Sequence, residues 1–324
     1  MQEPQTDDGA SSIGGDVGYI KLLRHNLQLI RKKSFDSTLA SLRSSIVDYR
    51  IENGRTYHRM SDGNLVHHLW TLTWDGEICL SPKKKTANRV LDVGTGTGIW
   101  ALDYGENVLG VDLSAIQPGY IPPNCSFEID DIEKEWTWST PFDFVFIRSM
   151  VGSFSDWQDI IDKAYDNLEP GGYIEMQDMA FPLQCNDDTM KNDWKPLKWT
   201  NLLVEATDKL GRSVTVPSTF KQMLEAAGFV DVQERREIWP FNPWPKDAKL
   251  RELGTWCQAS ALSGLEAASL GPFTRVLDWS AVETNVFCAE VRKDHFKIGV
   301  HAYYDVYGVY GRKPEKEATE TPVA

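Results

Sequence analysis

The sequence predicts an α/β fold, in which a mostly parallel sheet with an antiparallel last strand carries helices on both faces. Two observations predict it. Short apolar runs of strand length alternate with helical stretches between residues 89 and 176, and this alternation is typical of parallel sheets with helices packed on either side. A turn rich in glycine follows the first run, at the place where sheets of this type bind ligands.

The N-terminal region is predicted to lie outside the sheet. Residues 1–16 are polar and acidic and are expected to form a disordered tail. Residues 17–82 are expected to form a helical segment that covers the site as a lid. Its first helix is predicted over 19–33, where leucines recur at helical spacing, and a second helix is predicted from about residue 34. The basic run 83–85 fits either a solvated loop or a nuclear address.

Five central strands are predicted from their apolar, β-branched composition. They cover 89–93, 107–111, 126–129, 142–147 and 173–176. A helix is predicted over 157–168, between the last two strands. The Pro-Gly-Gly sequence at 170–172 is expected to form the turn that leads into the fifth strand.

The C-terminal half completes the predicted domain, which spans 83–312. A helix over 218–227 is expected to end at Gly228, because glycine adopts the left-handed conformation after a helix end without strain. Late strands are predicted over 230–237 and 301–309, and residues 313–324 are expected to form a disordered tail.

An aromatic-rich insertion is predicted at about 182–286, on the substrate side of the domain. Its aromatic side chains fit a pocket for an apolar or aromatic small molecule, and they fit packing in the core equally well. They are Trp199, Trp239, Phe241, Trp244, Trp256, Phe273 and Trp279.

The composition excludes several classes of protein. With 34 Lys and Arg against 47 Asp and Glu, the net charge is −13, so no nucleic-acid or anionic-membrane partner is expected. The five cysteines are scattered without a C-x-x-C pair, which favours a reducing compartment and no metal site. No apolar signal region or run of 18 apolar residues occurs, so a cytoplasmic protein is expected, with the nucleus as the alternative.

The most informative segment reads D-V-G-T-G-T-G and covers residues 92–98. Gly94, Gly96 and Gly98 allow positive φ and let a ligand lie against bare backbone. A dinucleotide site requires G-x-G-x-x-G, and the third glycine here comes one residue early. Asp92 would repel a pyrophosphate and would favour an ammonium or sulfonium ligand, which indicates S-adenosylmethionine (SAM).

Acidic residues follow the next two strands. Asp112, followed by Leu113, is placed to accept hydrogen bonds from both ribose hydroxyls. Asp131 is placed to accept from the adenine amino group while the N–H of Ile132 donates to the ring, and Asp130 is the alternative acceptor.

Arg148 ends the fourth strand, where the methionyl group of the cofactor and the substrate are expected to converge. No spacing of histidines or acids predicts a metal site. Trp100, Tyr49 and Tyr57 are candidates for aromatic contact with the sulfonium, and Trp100 fits the core equally well.

These motifs together resemble a class I SAM-dependent methyltransferase with its Rossmann-like sheet, and more closely the fungal LaeA-like family. That family includes regulators of secondary metabolism and enzymes of biosynthetic clusters. The resemblance covers roughly residues 45–314. The segments that carry it are 49–58, 67–69, 89–100, 112–118, 122–124, 127–131, 152–157, 170–175 and 310–314, together with Trp136 and Arg148.

The resemblance implies SAM as the cofactor and transfer of a methyl group to an oxygen or nitrogen of a small molecule. The catalytic residue is not identified, and His67 and His68 in the predicted lid are candidates for a base. A regulator that acts through nuclear protein partners is the first alternative, and the basic run at 83–85 supports it.

Two stretches are shorter than in the family. Only residues 59–66 separate the Tyr-His pair from the His-His pair, and Gly98 and Asp112 are 14 positions apart, so the helix between them is limited to about two turns. Both stretches touch the cofactor site. They motivate a second alternative, a member that does not methylate and either catalyses another reaction, such as a pericyclic step, or is inert.

Overall fold

The computed structural model describes residues 49–52, 55–58 and 62–315. The chain divides into two compact units, Met1–Met60 and Ser61–Ala324. In the first unit, β1 (Tyr49–Glu52) and β2 (Arg55–His58) form an antiparallel hairpin. The predicted N-terminal tail and helices, and the predicted C-terminal tail beyond residue 315, lie outside the described residues.

The second unit contains a seven-stranded sheet with the order β5-β4-β3-β6-β7-β9-β8. The strands β3 to β7 are parallel, and β9 is antiparallel to both of its neighbours. The predicted mostly parallel sheet with an antiparallel last strand is therefore confirmed. The strands are β3 (Val90–Val93), β4 (Val108–Asp112), β5 (Cys125–Ile129), β6 (Phe142–Arg148), β7 (Leu168–Gln184), β8 (Val230–Pro240) and β9 (Tyr303–Arg312).

Helices pack on both faces of this sheet. Leu91 and Val93 of β3 share a buried apolar cluster with Ile160, whereas Val90 shares another with Trp100. Successive side chains of a strand point to opposite faces, so the two clusters lie on opposite sides of the sheet. The helices are α1 (Asp62–Thr73), α2 (Ile99–Tyr104), α3 (Trp157–Asn167), α4 (Lys195–Lys209), α5 (Phe220–Ala226), α6 (Ala248–Val276) and α7 (Ala281–Asp294).

Local sequence signals explain where several helices begin and end. Glycines in the left-handed conformation bound α2 at both ends, Gly98 and Gly105, each with φ of +77°, and they limit this helix to six residues. A capping box of Ser280 and Glu283 begins α7. The predicted helix over 218–227 is divided between a 3₁₀ turn, Val216–Thr219, and α5.

The basic run at 83–85 lies in a second 3₁₀ turn, Pro82–Lys85. The Lys83 ammonium lies 3.6 Å from a carboxylate oxygen of the buried Asp143. The Lys83 side chain is therefore held against the protein, whereas the side chains of residues 84 and 85 lie outside the described part of the structure, so the interpretation of the whole run stays a prediction.

Residues 182–286 contribute α4, α5, β8 and α6. Because β8 belongs to the main sheet, this stretch contains part of the core as well as additional helices. Five of its seven predicted pocket aromatics are buried, which agrees with the alternative interpretation of core packing. The buried five are Trp199, Trp239, Phe241, Trp256 and Phe273.

Candidate cofactor site

The carboxyl ends of β3, β4, β5 and β6 lie at the same edge of the sheet. On one side of β3 lies β4 and on the other lies β6, so the strand order reverses at β3. Open α/β sheets bind ligands at such a reversal, because the loops diverge there and leave a crevice. Each cofactor-site residue predicted from the sequence lies at the end of one of these strands or in the loop that follows it.

The three glycines of the loop after β3 have different surroundings. Their φ angles are all positive: +70° at Gly94, +55° at Gly96 and +77° at Gly98. A Cβ at Gly94 would lie 2.1 Å from the sulfur of Met150, and one at Gly98 would lie 2.5 Å from the ring of Phe127. A Cβ at Gly96 would meet no atom within 4 Å. Gly96 therefore presents open backbone, whereas the other two pack against the protein.

Asp92 is buried against this loop. Its Oδ2 accepts a hydrogen bond of 2.6 Å from the hydroxyl of Thr95. Burial raises the pKa of the Asp92 carboxyl to about 6, and the hydrogen bond from Thr95 and the charge of Arg148 oppose this shift. The carboxyl stabilises the turn and adds negative charge to its interior at neutral pH.

Asp112 connects the glycine loop to the end of β4. One carboxylate oxygen accepts the N–H of Gly96 and the other accepts the N–H of Ser114, both at 2.9 Å. The Gln117 amide donates to the carbonyl of Gly96 at 2.7 Å and supports the same turn. Each carboxylate oxygen retains a second lone pair. Asp112 is half-buried, so those lone pairs remain accessible to a ligand that lies over Gly96.

The segment after β5 contains two acidic residues followed by the backbone N–H of Ile132. Asp130 is exposed and accepts the N–H of Asp131 at 2.7 Å, and Asp131 accepts the N–H of Glu133 at 3.0 Å. Within the described part of the chain, the N–H of Ile132 donates no hydrogen bond. Leu113 follows the neighbouring strand with 71% of its surface exposed, which leaves apolar surface uncovered at this edge.

Arg148 is held at the end of β6 by the predicted lid histidine. One of its amino groups, Nη2, lies 2.8 Å from Nδ1 of His67, and Nε2 of His67 lies 3.0 Å from Oδ2 of Asp103 on α2. Nη1 of Arg148 is buried and has no hydrogen-bond partner among the described residues. Burial lowers the pKa of the guanidinium to about 10, although the charges of Asp92, Glu175 and Asp103 oppose this.

Two buried carboxylates on β7 support the loops around this edge. Asp178 accepts the N–H groups of Met150 and Val151, both at 2.7 Å, two and three positions after Arg148. Glu175 accepts the N–H groups of Leu80 and Ser81. Burial raises the pKa of both carboxyls, that of Asp178 to about 7. Sequence reasoning did not predict a role for Asp178, since its partners are 28 and 27 residues distant along the chain.

The two histidines of α1 have different environments. His67 is buried with both ring nitrogens in hydrogen bonds, whereas the His68 ring lies edge-on to Trp256 with centroids 4.5 Å apart. Burial lowers the pKa of His68, so the neutral form that a base requires dominates at pH 7. The catalytic role of either histidine stays a prediction.

Trp100 lies in the core and not in the site. It is 2% exposed, stacks on Phe146 with centroids 3.8 Å apart, and donates its indole N–H to the carbonyl of Ile78. Its proposed contact with the sulfonium is therefore wrong, because its faces are covered by protein. The side chains of Tyr49 and Tyr57 lie outside the described part of the structure.

A cavity of about 460 Å³ lies near the C-terminus of α7, away from the strand ends just described. Its lining is mostly charged and includes Lys191, Lys195 and Glu290. Among the described residues, no group of three His, Cys, Asp or Glu is arranged to hold a metal ion. None of the helices within the described ranges is long and apolar enough to cross a membrane.

Comparison with known proteins places this arrangement in a family. Residues 75–234 match the sequence profile described as a methyltransferase domain. The methyltransferase pytC of Aspergillus terreus is 33% identical over 299 residues, which cover 86% of this chain and 92% of that protein. The secondary metabolism regulator LAE1 of Cochliobolus heterostrophus is 32% identical, with 82% and 95% covered.

The chain belongs to the fungal LaeA-like methyltransferase family. As a member of this family it is a SAM-dependent methyltransferase, as the resemblance in its motifs implied. Among solved structures, phosphoethanolamine N-methyltransferase 2 of Haemonchus contortus in complex with SAM is 15% identical, with a TM-score of 0.42. The alignment covers 88% of this chain and 75% of that one.

The site of this LaeA-like protein fits SAM in its donor and acceptor chemistry. Asp112 offers acceptor lone pairs beside open backbone at Gly96, and Ile132 offers an N–H that donates to no acceptor among the described residues. Asp92 and Arg148 place opposite charges at the end of the site that lies between β3 and β6. SAM carries hydroxyls, a purine ring, an ammonium and a carboxylate, and each of these groups matches one of the features.

Proposed function

We propose that this LaeA-like protein transfers the methyl group of SAM to an oxygen or nitrogen of a small molecule in a fungal secondary-metabolite pathway. The observation that carries the proposal is the Asp112 carboxylate beside the open backbone of Gly96. A carboxylate at the end of the second parallel strand can accept hydrogen bonds from a ribose. The open backbone at Gly96 leaves room for the nucleoside to which this ribose belongs.

The remaining predicted residues extend this site at both ends. Ile132 would donate its N–H to the adenine ring, and Asp131, or Asp130 in its place, would accept from the adenine amino group. Asp92 and Arg148 provide charge complementary to the ammonium and carboxylate of the methionyl group. Gly94 and Gly98 allow the loop to turn, and the exposed Leu113 would cover the adenine.

When SAM is bound, it supplies a methyl group already activated on a sulfonium. The protein therefore mainly aligns the acceptor and excludes water. An acceptor hydroxyl also requires a base, and His68 remains the candidate with an available neutral ring. Both ring nitrogens of His67 are already in hydrogen bonds, which leaves this residue a positional role.

The acceptor is proposed to be apolar or aromatic. Trp244 and Trp279 support this part of the proposal, since they retain exposed surface within the aromatic-rich stretch 182–286. Candidate acceptors would quench the fluorescence of these two residues, and the quenching would disappear in a Trp244→Phe and Trp279→Phe double variant. Quenching that persists in the double variant would contradict this assignment.

The cofactor site is tested by calorimetric titration with S-adenosylhomocysteine (SAH). Asp112→Ala is expected to weaken binding by at least about tenfold, since it removes the ribose acceptor and the acceptor of the Gly96 N–H. Asp166→Ala, an exposed acid on α3, is the matched control and should bind as the wild type does. Methyl transfer is then tested with labelled SAM and pathway intermediates. A folded wild type that does not bind SAH would contradict the proposal.

A regulatory function is the second candidate, because a relative of 32% identity is named a secondary metabolism regulator. In that case the protein acts in the nucleus through protein partners, whereas the enzymatic function places it in the cytoplasm. A fluorescently tagged chain imaged in the fungal cell distinguishes the two. A tagged chain that stays cytoplasmic and captures no partner argues against regulation.

A member that does not methylate is the third candidate, and the length of α2 favours it. This helix follows the glycine loop and has only six residues, Ile99–Tyr104. Observed turnover of SAM to SAH in the presence of an acceptor would exclude this candidate. Absence of SAH binding in the folded protein would make it the leading one.

A further inference from the structure

Three side chains from three separate elements form a hydrogen-bonded chain that ends at the cofactor site. Asp103 lies on α2, His67 on α1 and Arg148 at the end of β6. The His67 ring bridges the other two, with contacts of 3.0 Å and 2.8 Å. Only 9% of the His67 side chain is exposed, whereas 52% of Asp103 is exposed. The series of hydrogen bonds therefore runs from the surface at Asp103 into the interior at Arg148.

The hydrogen-bonding chemistry of its two partners decides which ring nitrogen of neutral His67 carries the proton. A guanidinium can only donate hydrogen bonds, so Nδ1 of His67 accepts from Arg148. The proton of the neutral ring is then on Nε2, where it donates to the carboxylate of Asp103. Each member fixes the orientation of the next, as a carboxylate does for the histidine beside it in other sites. Such an imidazole is occupied at both nitrogens and cannot accept a proton from a substrate without losing Arg148.

The guanidinium held in this way retains an unused donor. Nη1 of Arg148 is buried without a partner in the described part of the chain. A buried donor that forms part of a charged group is expensive to leave unpaired, and the strongest partner for it is an anion. Asp92, Glu175 and Asp103 stabilise the charge of Arg148.

The position of Arg148 in the sheet indicates which anionic group would pair with Nη1. In the register of β3 and β6, Val93 lies opposite Ile147, so Arg148 is level with Gly94 at the start of the glycine loop. This is the point where the strand order reverses. With the ribose at Asp112 on the other side of β3, the methionyl end of the cofactor, which carries a carboxylate, would extend towards Arg148.

We propose that His67 is a positioning residue, which together with Asp103 holds Arg148 so that its free Nη1 binds the methionyl carboxylate of SAM. This inference rests on the proposed function, because it needs SAM in the site. It gives the first histidine of the lid pair a role other than that of a base. It also explains why α1 and α2, two helices outside the sheet, meet beside Arg148.

The experiment compares two ligands by calorimetric titration, SAH and decarboxylated SAH, which lacks only the carboxylate. The wild type is expected to bind SAH at least about tenfold more tightly than the decarboxylated ligand. His67→Phe keeps the size of the ring but removes both nitrogens. It is expected to weaken SAH binding by about tenfold and to leave binding of the decarboxylated ligand unchanged.

Two further variants show whether His67 acts through Arg148. His67→Asn places an amide oxygen near the position of Nδ1 and is expected to restore most of the preference for SAH. Arg148→Leu is expected to abolish the preference, and adding His67→Phe to it should then have no further effect on the ratio. Asp103→Asn changes a half-exposed position and is expected to reduce the preference for SAH partially. If His67→Phe does not fold, Asp103→Asn is the variant that tests the inference.

The outcomes separate the inference from the proposed function. Loss of the preference in His67→Phe with restoration in His67→Asn supports the inference. Equal weakening of both ligands, or an unchanged preference in both His67→Phe and Asp103→Asn, would overturn it. A wild type that binds both ligands equally well would overturn the role of Arg148 and leave the proposed function intact. A wild type that binds neither would refute the proposed function itself.

Discussion

Replacement of Gly96 by alanine separates the backbone strain of the glycine loop from its contact with a ligand. Gly96 has φ of +55°, and a Cβ built on it meets no protein atom within 4 Å. The added methyl group therefore enters only the open space over the loop. If the nucleoside of SAM lies there, the same methyl group must collide with it.

The expected magnitudes follow from these two facts. The left-handed conformation costs an alanine about 1–2 kcal/mol, which is roughly 2–4 °C in the midpoint of thermal unfolding for a protein of this size. The collision with the ligand is expected to weaken SAH binding by more than tenfold, which is about 1.4 kcal/mol. The loss of affinity and the loss of stability are independent quantities.

Gly105→Ala is the matched control. Gly105 has φ of +77° and follows the other end of α2, and a Cβ there comes no nearer than 4.0 Å to another atom. Both substitutions therefore impose a similar backbone strain, and only Gly96→Ala changes the surface over the loop. Thermal unfolding followed by circular dichroism measures the strain, and calorimetric titration with SAH measures the contact.

Two results would refute this reasoning. SAH binding by Gly96→Ala that equals that of the wild type would mean that no ligand lies over the open glycine. Equal loss of SAH affinity in Gly105→Ala would mean that strain in the backbone, and not the added methyl group, weakens binding. The expected result is a similar loss of stability in both variants and a loss of affinity in only one.

Three further predictions concern stability. Gly94→Ala should lower the free energy of unfolding by about 1–3 kcal/mol, since the backbone strain is joined by displacement of the flexible end of Met150. Burial raises the pKa of Asp178 to about 7 from 3.8, so the folded state holds its proton more tightly. As the pH rises from about 5 to about 8, the free energy of unfolding of the wild type should therefore fall by about 1–3 kcal/mol relative to that of Asp178→Asn. Thr73→Val should lower the free energy of unfolding by about 1–3 kcal/mol, because it removes the hydroxyl that accepts the buried indole N–H of Trp239 at 2.7 Å.

Urea denaturation measures all three, and each has a contradicting outcome. A loss in Gly94→Ala no larger than that in Gly96→Ala would mean that Met150 moves aside at no cost. A constant difference between wild type and Asp178→Asn across this pH range would contradict the raised pKa. For Thr73→Val, a Trp239→Phe partner variant completes a double-mutant cycle, and additive effects would contradict the hydrogen bond.

Most of the sheet was predictable from the sequence because its strands are locally marked. All four residues of β3 are buried, and three of them, Val90, Leu91 and Val93, are apolar, as is typical of strands that are covered on both faces. The predicted strand over 107–111 is observed as β4, Val108–Asp112, and 142–147 as β6, Phe142–Arg148. The fifth strand was predicted over 173–176 but extends over Leu168–Gln184. The predicted turn at 170–172 therefore lies within β7, whose first residue pairs with Phe142 of β6, and the extension beyond residue 176 pairs with β9, which is distant in sequence.

The candidate site was predictable where its residues end a strand or directly follow one. Asp112 and Arg148 were placed correctly at the carboxyl edge, since parallel strands bring their ends together. Asp103 could not be predicted, because it lies near the C-terminal end of α2, away from every strand end, and meets His67 from 36 positions away. The sequence also indicated Trp100 as a possible ligand contact, and only its burial against Phe146 assigned it to the core.

By itself the sequence determined the turn at residues 94–98 and the order of strands and helices around it. Positive φ and apolar periodicity are properties of residues and their near neighbours, so they can be read without the fold. Only the tertiary structure decided that Gly96, and not Gly94 or Gly98, presents open backbone. It also decided that His67 faces Arg148 while His68 faces Trp256. Hydrogen-bond partners and burial depend on contacts between segments that are distant along the chain. These tertiary contacts decide which residues of the glycine motif are accessible to a ligand.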